Sequence, residues 1–348
     1  MVVPVVWSLA RQYPDTRITV LSRPFARQLF EGLAPNIGFM EADMSSEYYG
    51  IMGLNSLYRR LAAKQFTAVA DLHSVLRSEY LRMRFAISRY RVEHIDKHRK
   101  GRRLLVAANN KQLVQQPTAF QNYADVFNKL GYPVTIDFHS IFQDNADGRG
   151  HLSELPQETC SLLTAITQQK EADEREKAPL IGLAPTAAHK GKTYPKELME
   201  KVIAQLTEKH PEARIFLFGK GSEEDALFVD WCKKFKQCIF VAHQLQTLRQ
   251  ELVLMSHLDV LVSMDSANMH LASLTATPVV SIWGATHPFA GFMGWQQLTE
   301  NAVQTDISCR PCSIYGQKEC IRGDYACLTG IKPETITAQV EKVLDARP

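Results

Sequence analysis

The chain has 348 residues, 45% of them hydrophobic, and a formal net charge of only +3 from 40 basic and 37 acidic side chains. That length accommodates two domains, and so even a charge balance argues against a general nucleic-acid binder. No apolar run reaches the roughly 20 residues that a membrane-spanning helix needs, and no basic-then-apolar leader is visible, so the reading expects a cytoplasmic protein.

From the N-terminus, VPVVWSLARQ predicts a helix from about Pro4 to Gln12, with Pro4 in its first turn and Pro14 beyond its end. RITVLS predicts a short buried strand and RPFARQLFEGLA a second helix. SLYRRLAAKQF reads as helix, TAVADLH as strand and SVLRSEYLRMRFA as helix. A basic stretch, EHIDKHRKGRR, follows, then RLLVAAN, which is either strand or the start of a helix. AFQNYADVFNKLG is a helix stopped by Gly131, residues 133–158 read as loop, and ETCSLLTAITQQKEADEREKA as a helix running into a charged linker.

The second half alternates more cleanly. PLIGLAP, ARIFLFG, CIFVAHQ, DVLVSMD and PVVSIWG are short, nearly unbroken apolar runs. Helical patterns separate them (KTYPKELMEKVIAQLTEKHP, EEDALFVDWCKKF, TLRQELVLMSHL and SANMHLASLTA), and PETITAQVEKVLDA closes the chain as an amphipathic helix. Such runs predict a parallel sheet covered on both faces, hence two α/β domains with a boundary near 165–178. Open parallel sheets bind ligands outside the carboxyl ends of their strands, so polar residues there are the site candidates.

The sharpest such cluster is SMDSANMHLASLTATPVVSIWG, where Asp265, Ser266, Asn268 and His270 interrupt small and apolar residues. Asp265 ends a strand, and the helix that follows presents free N–H groups at Ser266, Ala267 and Asn268, with His270 a turn further on. That is an anion site; the plain alternative is that Asp265 or Ser266 merely caps its own helix. Thr286 and His287 in WGATHP could line the same cleft or form a surface turn. In LAPTAAHKGKTYP, Thr186 sits at a strand end, and Lys190 and Lys192 flank Gly191 before a helix. This suits a phosphate but is not a Walker A loop. In FGKGSEED, Gly219 and Gly221 could admit a ring, and Glu223 and Glu224 could accept ribose hydroxyls or simply complement a helix dipole. Lys97, Arg99, Lys100, Arg102 and Arg103 could receive an anionic acceptor or form a solvated face. Cys309, Cys312, Cys320 and Cys327 have the thiolate count of a structural zinc, but their gaps are irregular, and a reduced cysteine loop is the favoured reading. No Gly-x-Gly-x-x-Gly follows an early strand, which disfavours a dinucleotide oxidoreductase.

Nearly the whole chain resembles the ADP-heptose:lipopolysaccharide heptosyltransferases, inverting enzymes of glycosyltransferase family 9 with the GT-B fold of two Rossmann-like domains. The resemblance rests on DSANMHLASLTATPVVSIWGATHP, KTYPKE, IFLFGKGSEE and CRPCSIYGQKECIRGDYACL. It implies an N-terminal acceptor-binding domain over 1–170, a C-terminal nucleotide-sugar domain over 178–330, and a final helix, 331–348, packing back toward the first. It implies that Lys192 holds the donor diphosphate, with Thr186 and His270 beside it and the helix N-terminus at Ser266, Ala267 and Asn268 facing it. Asp265 would contact the donor sugar and Glu223 the nucleoside, with Gly219 close by and Met264 beside the adenine-side pocket. The implied donor is ADP-heptose with no cofactor, and the acceptor an anionic lipopolysaccharide inner core reached by peripheral contact with the inner membrane, suiting the basic stretch.

The chain departs from the family at its start. The first strand and the Gly-Asp motif that supplies the general base are absent, so the expectation is an in-frame strand and Gly-Asp encoded upstream of Met1. Asp71 and His73 are the nearest substitutes in the first domain. A truncated, inactive nucleotide-sugar-binding protein and a related transferase using another sugar are the alternatives.

Overall fold

The computed structural model describes residues 1–168 and 178–347. In chain order the elements are α1 (Val3–Gln12), β1 (Ile18–Ser22), β2 (Ile37–Glu41), α2 (Gly50–Ala62), β3 (Ala68–Asp71), α3 (Leu76–Ile87), β4 (Arg91–His94), α4 (Arg99–Leu105) and α5 (Ala119–Lys129). Then come α6 (Gln157–Gln168), β5 (Leu180–Ala184), α7 (Lys196–Lys209), β6 (Arg214–Leu217), α8 (Ser222–Lys234), β7 (Cys238–Phe240) and α9 (Leu248–Met255). The chain ends through β8 (Val260–Met264), α10 (Ala267–Leu274), β9 (Val279–Trp283), β10 (Ala302–Gln304), α11 (Ala326–Thr329) and α12 (Pro333–Asp345).

Two units emerge, Met1–His98 with Pro117–Phe138, and Arg99–Gln116 with His139–Pro348. This division differs from the expected boundary near residue 170. The helix 99–105 and the segment after Phe138 pack with the second unit, because their side chains and backbone find partners there. Arg102 lies over the Phe292 ring, Ser140 leads to Ile141 N–H donating to Leu274 O, and Arg249 grips Glu154. The charged linker 169–177 lies outside the described residues.

The first unit holds two separate parallel pairs, β1 with β2 and β3 with β4. Met40, Leu57, Leu61 and Phe85 form a shared core under α2 and α3. α5 starts on a capping box: Thr118 accepts from Gln121 N–H while the Gln121 side chain accepts from Thr118 N–H. The stretch expected as a second helix forms only a 3-10 turn, Pro24–Leu29, and Gly32 follows it at a φ of 73°.

The second unit is built on a six-stranded parallel sheet, order β10-β9-β8-β5-β6-β7. β5, β8 and β9 are buried at every residue, which explains their unbroken apolar sequences. α7 covers the sheet with Met199, Val202, Ile203 and Leu206, and α12 packs beside it through Ile336, Val340 and Leu344 in the same core. The final helix therefore belongs to this unit; its apolar stripe is spent on α7 and the sheet.

Candidate functional site

β5 has β6 on one side and β8 on the other, so the strand order reverses between β5 and β8. The carboxyl ends of two strands that diverge this way border a crevice. A cavity of about 570 Å³ lies there, lined by Thr186–Ala188 after β5, Phe218–Lys220 after β6, Val241, Ala242 and Leu245 after β7, and Asp265–Asn268 after β8. Lys192, Glu224, Glu251 and His270 complete the lining.

Asp265 is 4% exposed. Its Oδ2 lies 3.0 Å from Lys192 Nζ and accepts a hydrogen bond from Thr286 Oγ1 at 2.8 Å. The carboxylate is thus committed to a lysine and a hydroxyl, not to its helix. Ser266 occupies the N-cap of α10 without a side-chain capping bond, its Oγ 3.3 Å from Ser263 Oγ. The alternative that this cluster is merely a helix cap fails on those two facts. The first-turn N–H groups of α10 stay open to a ligand at the positive end of the helix dipole. His270 Nδ1 is buried with no hydrogen-bond partner among the described residues. Burial above all pushes the His270 pKa down to about 3, so the ring is neutral near pH 7 and can give or accept one hydrogen bond.

Gly316 lets Lys192 reach this position. The lysine ends a 3-10 turn, Lys190–Lys192, and the loop at Gly316 lies flat on its aliphatic stem; a Cβ on Gly316 would sit 2.4 Å from Lys192 Cγ. Across the crevice, Thr186 Oγ1 donates to Glu224 Oε1, and Gly219 leaves room beside that carboxylate, where a Cβ would stand 3.2 Å from Glu224 Oε1.

Thr186, Lys192, Gly219, Asp265, Ser266, Ala267, Asn268 and His270 therefore line one cavity. Glu223 and Met264 do not. Glu223 is exposed in the first turn of α8, and the next residue, Glu224, turns inward instead. Met264 is fully buried, and its Sδ accepts the Tyr194 N–H at 3.3 Å, so it belongs to the core rather than to an adenine-side pocket. Thr286, offered by sequence as a possible cleft residue, is buried and orients Asp265. His287 caps a 3-10 turn, its Nδ1 accepting the Phe289 N–H. The apolar positions after β7 and the acid Glu251 carried no signal in the sequence beyond ordinary strand and helix patterns.

The other candidates fare differently. The basic stretch does not form one face: Lys97 donates to Ser74 O at 2.8 Å, Arg102 is buried over Phe292, and Arg99, Lys100 and Arg103 are exposed. Asp71 is buried, accepting from the N–H groups of His73 and Ser74 at 3.0 and 2.8 Å and facing Arg82 at 3.4 Å. Those bonds make it a turn staple. His73 is exposed. Among the described residues, no group of three or more His, Cys, Asp or Glu is arranged to hold a metal ion, and Cys309, Cys312, Cys320 and Cys327 are free thiols.

The family model described as glycosyltransferase family 9 (heptosyltransferase) matches residues 54–322. No curated protein is matched. The solved glycosyl transferase family 9 protein of Veillonella parvula DSM 2008 is 18% identical, with 99% of this chain and 93% of that one covered at a TM-score of 0.67. The ADP-heptose lps heptosyltransferase II of E. coli is 16% identical, covering 98% and 94% at 0.62. The E. coli heptosyltransferase WaaC, solved with ADP, is 13% identical, covering 98% and 94% at 0.61. At such identities the likeness is one of fold, and it agrees with the α/β, GT-B expectation.

Proposed function

The chain belongs to glycosyltransferase family 9, the heptosyltransferase family, and is a glycosyltransferase; from that premise we propose that it moves heptose from ADP-heptose to an inner-core lipopolysaccharide acceptor by a single inverting displacement. The observation that carries the reading is the Lys192–Asp265–Thr286 constellation set against the uncapped N-terminus of α10. A nucleoside diphosphate needs positive charge and N–H donors around its phosphates, and this crevice offers both.

In the reaction, an acceptor hydroxyl oxygen attacks the anomeric carbon. A new C–O bond forms, the bond from that carbon to the phosphate oxygen breaks, and its electron pair leaves with ADP. The hydroxyl proton passes to a general base. Charge grows on the departing diphosphate, and donors already aimed at it lower the barrier without reorganising. Lys192 suits that role because Asp265 and Gly316 fix its reach. Neutral His270 adds a hydrogen bond without adding charge. Asp265, held by Thr286, presents its remaining oxygen for the hydroxyls of the sugar.

We place this work at the cytoplasmic face of the inner membrane. No helix among the described residues is long and apolar enough to cross a membrane. Support for peripheral contact is the exposure of Ile51 and Met52 on α2 and of Leu76, Met83 and Ile87 on α3, beside the exposed Arg59, Arg60 and Arg77.

The test is incubation with ADP-heptose and heptose-free lipopolysaccharide core, following ADP release and the mass of the acceptor. A gain of one heptose supports the proposal. Transfer of a different sugar alone overturns the donor assignment, and tight binding of ADP-heptose without transfer to any core acceptor leaves a binding protein.

A further inference from the structure

The cavity changes character along the sheet. Lys192 and Asp265 stand at β5 and β8, and Glu224 and Lys220 follow at the end of β6. Moving outward through β6 to β7 crosses three strand spacings from β8, about 14 Å at ~4.8 Å each, roughly the span of a nucleoside diphosphate. At the far end the lining turns apolar: Phe218, Val241, Ala242 and Leu245. One acid stands among them, Glu251, in the first turn of α9.

Its neighbours are already satisfied. Thr247 caps α9 by accepting from Gln250 N–H at 3.2 Å, Gln250 Oε1 accepts from Gln246 N–H at 2.9 Å, and Arg249 is paired with Glu154. Glu251 alone has no hydrogen-bond or ion-pair partner among the described residues, only the more distant charge of Lys220. A half-buried carboxyl between apolar walls, facing a cavity, is costly unless something entering that cavity donates to it.

We propose that Glu251 reads the base of the bound nucleotide, accepting a hydrogen bond from an exocyclic amino group such as adenine's. The inference rests on the cavity's being a nucleotide site, and it goes further by assigning a residue to base selection. The flat apolar walls take the ring faces, and the carboxyl takes the amino edge. A base presenting a carbonyl oxygen at that edge would set acceptor against acceptor, which is how one polar group rejects a close analogue. Burial holds the Glu251 pKa above the ordinary carboxylate value, the mark of a charge lacking a donor. Glu224 serves a separate place, being joined to Thr186 on the β5 side.

The experiment compares ADP with purine riboside diphosphate, which lacks only the amino group, by calorimetry on the full chain. Wild type is expected to bind ADP about tenfold to a hundredfold more tightly, the worth of one hydrogen bond to a charged partner. Glu251→Ala is expected to erase that preference and Glu251→Gln to shrink it, while inorganic pyrophosphate competes equally well in all three. Thermal melts establish that the variants fold, and the isosteric Gln variant decides if the Ala variant does not. A wild type that binds both nucleotides equally, variants that keep the full preference, or an equal loss of pyrophosphate binding would each overturn the assignment. A wild type that binds no nucleotide at all removes the proposed function beneath it, an outcome distinct from lost selectivity.

Discussion

Lys192 Nζ and Asp265 Oδ2 stand 3.0 Å apart with their side chains only 16% and 6% exposed, and Thr286 donates to the same oxygen. The pair divides two tasks that single substitutions can separate. Lys192→Ala removes the cation facing the diphosphate and should weaken ADP binding about tenfold to a hundredfold. Asp265→Asn keeps the shape and the Thr286 contact but loses the charge that orients Lys192 and the sugar. It should leave ADP affinity within a few-fold while transfer falls about a hundredfold, as when a preorganised donor or acceptor is lost. Calorimetry with ADP beside a transfer assay checks both. Equal losses of binding in the two variants would contradict the division.

Gly316 and Gly323 form a matched pair for a second prediction. Both have positive φ, 79° and 80°, so alanine strains the backbone at either. Only at Gly316 does the new Cβ strike Lys192, at 2.4 Å from Cγ; at Gly323 nothing lies within 4 Å. Gly323→Ala should cost about 1 kcal/mol of stability and leave ADP binding unchanged. Gly316→Ala should cost more and weaken ADP binding as well, because Lys192 must leave its position. Melting temperatures and ADP titrations on the two variants decide it.

Much of the crevice was legible because it violates its surroundings. β5, β8 and β9 are apolar at nearly every position, so Thr186 and Asp265 at their ends stand out. Strands without that contrast escaped notice. β4 reads Arg-Val-Glu-His, β2 contains Gly38, and β10 is three residues at a sheet edge. Helix phase hid the acid that matters in α8: Glu223 and Glu224 are equivalent in composition, and a rotation of one residue decides which faces the cavity. The basic stretch misled for a tertiary reason, since Arg102 spends its charge over Phe292 rather than toward solvent. Glu251 lay in an ordinary helical pattern, and only the walls contributed by β6 and β7 distinguish it.

Asp71 is the acid in the first unit most readily mistaken for a general base. Its Oδ1 holds the N–H groups of His73 and Ser74, and its Oδ2 faces Arg82. Both oxygens are thus committed to holding the turn and its arginine rather than to an acceptor hydroxyl. Asp71→Asn should therefore lower stability by about 1–2 kcal/mol through the lost charge-assisted bonds, while kcat changes at most a few-fold. A fall of a hundredfold or more in kcat, with the melting temperature kept, would make Asp71 the base after all.

His287 gives the pH dependence a defined sign. Its Nδ1 accepts the Phe289 N–H at 3.1 Å, and burial, followed by the charges of Arg310 and Lys111, pushes its pKa down to about 4. In the unfolded chain the ring titrates near 6.5. Between the two values the unfolded state binds the extra proton, so stability rises with pH there. The contribution is full above about pH 6.5 and is lost progressively as pH falls toward 4. His270, pushed down to about 3, acts in the same direction. Melting temperature should thus drop steeply on acidification across that window. His287→Asn, which can still accept the Phe289 N–H, should melt with a shallower slope between pH 6.5 and 4 and with little change above it. A variant that keeps the wild-type slope would show that the proton is taken up elsewhere.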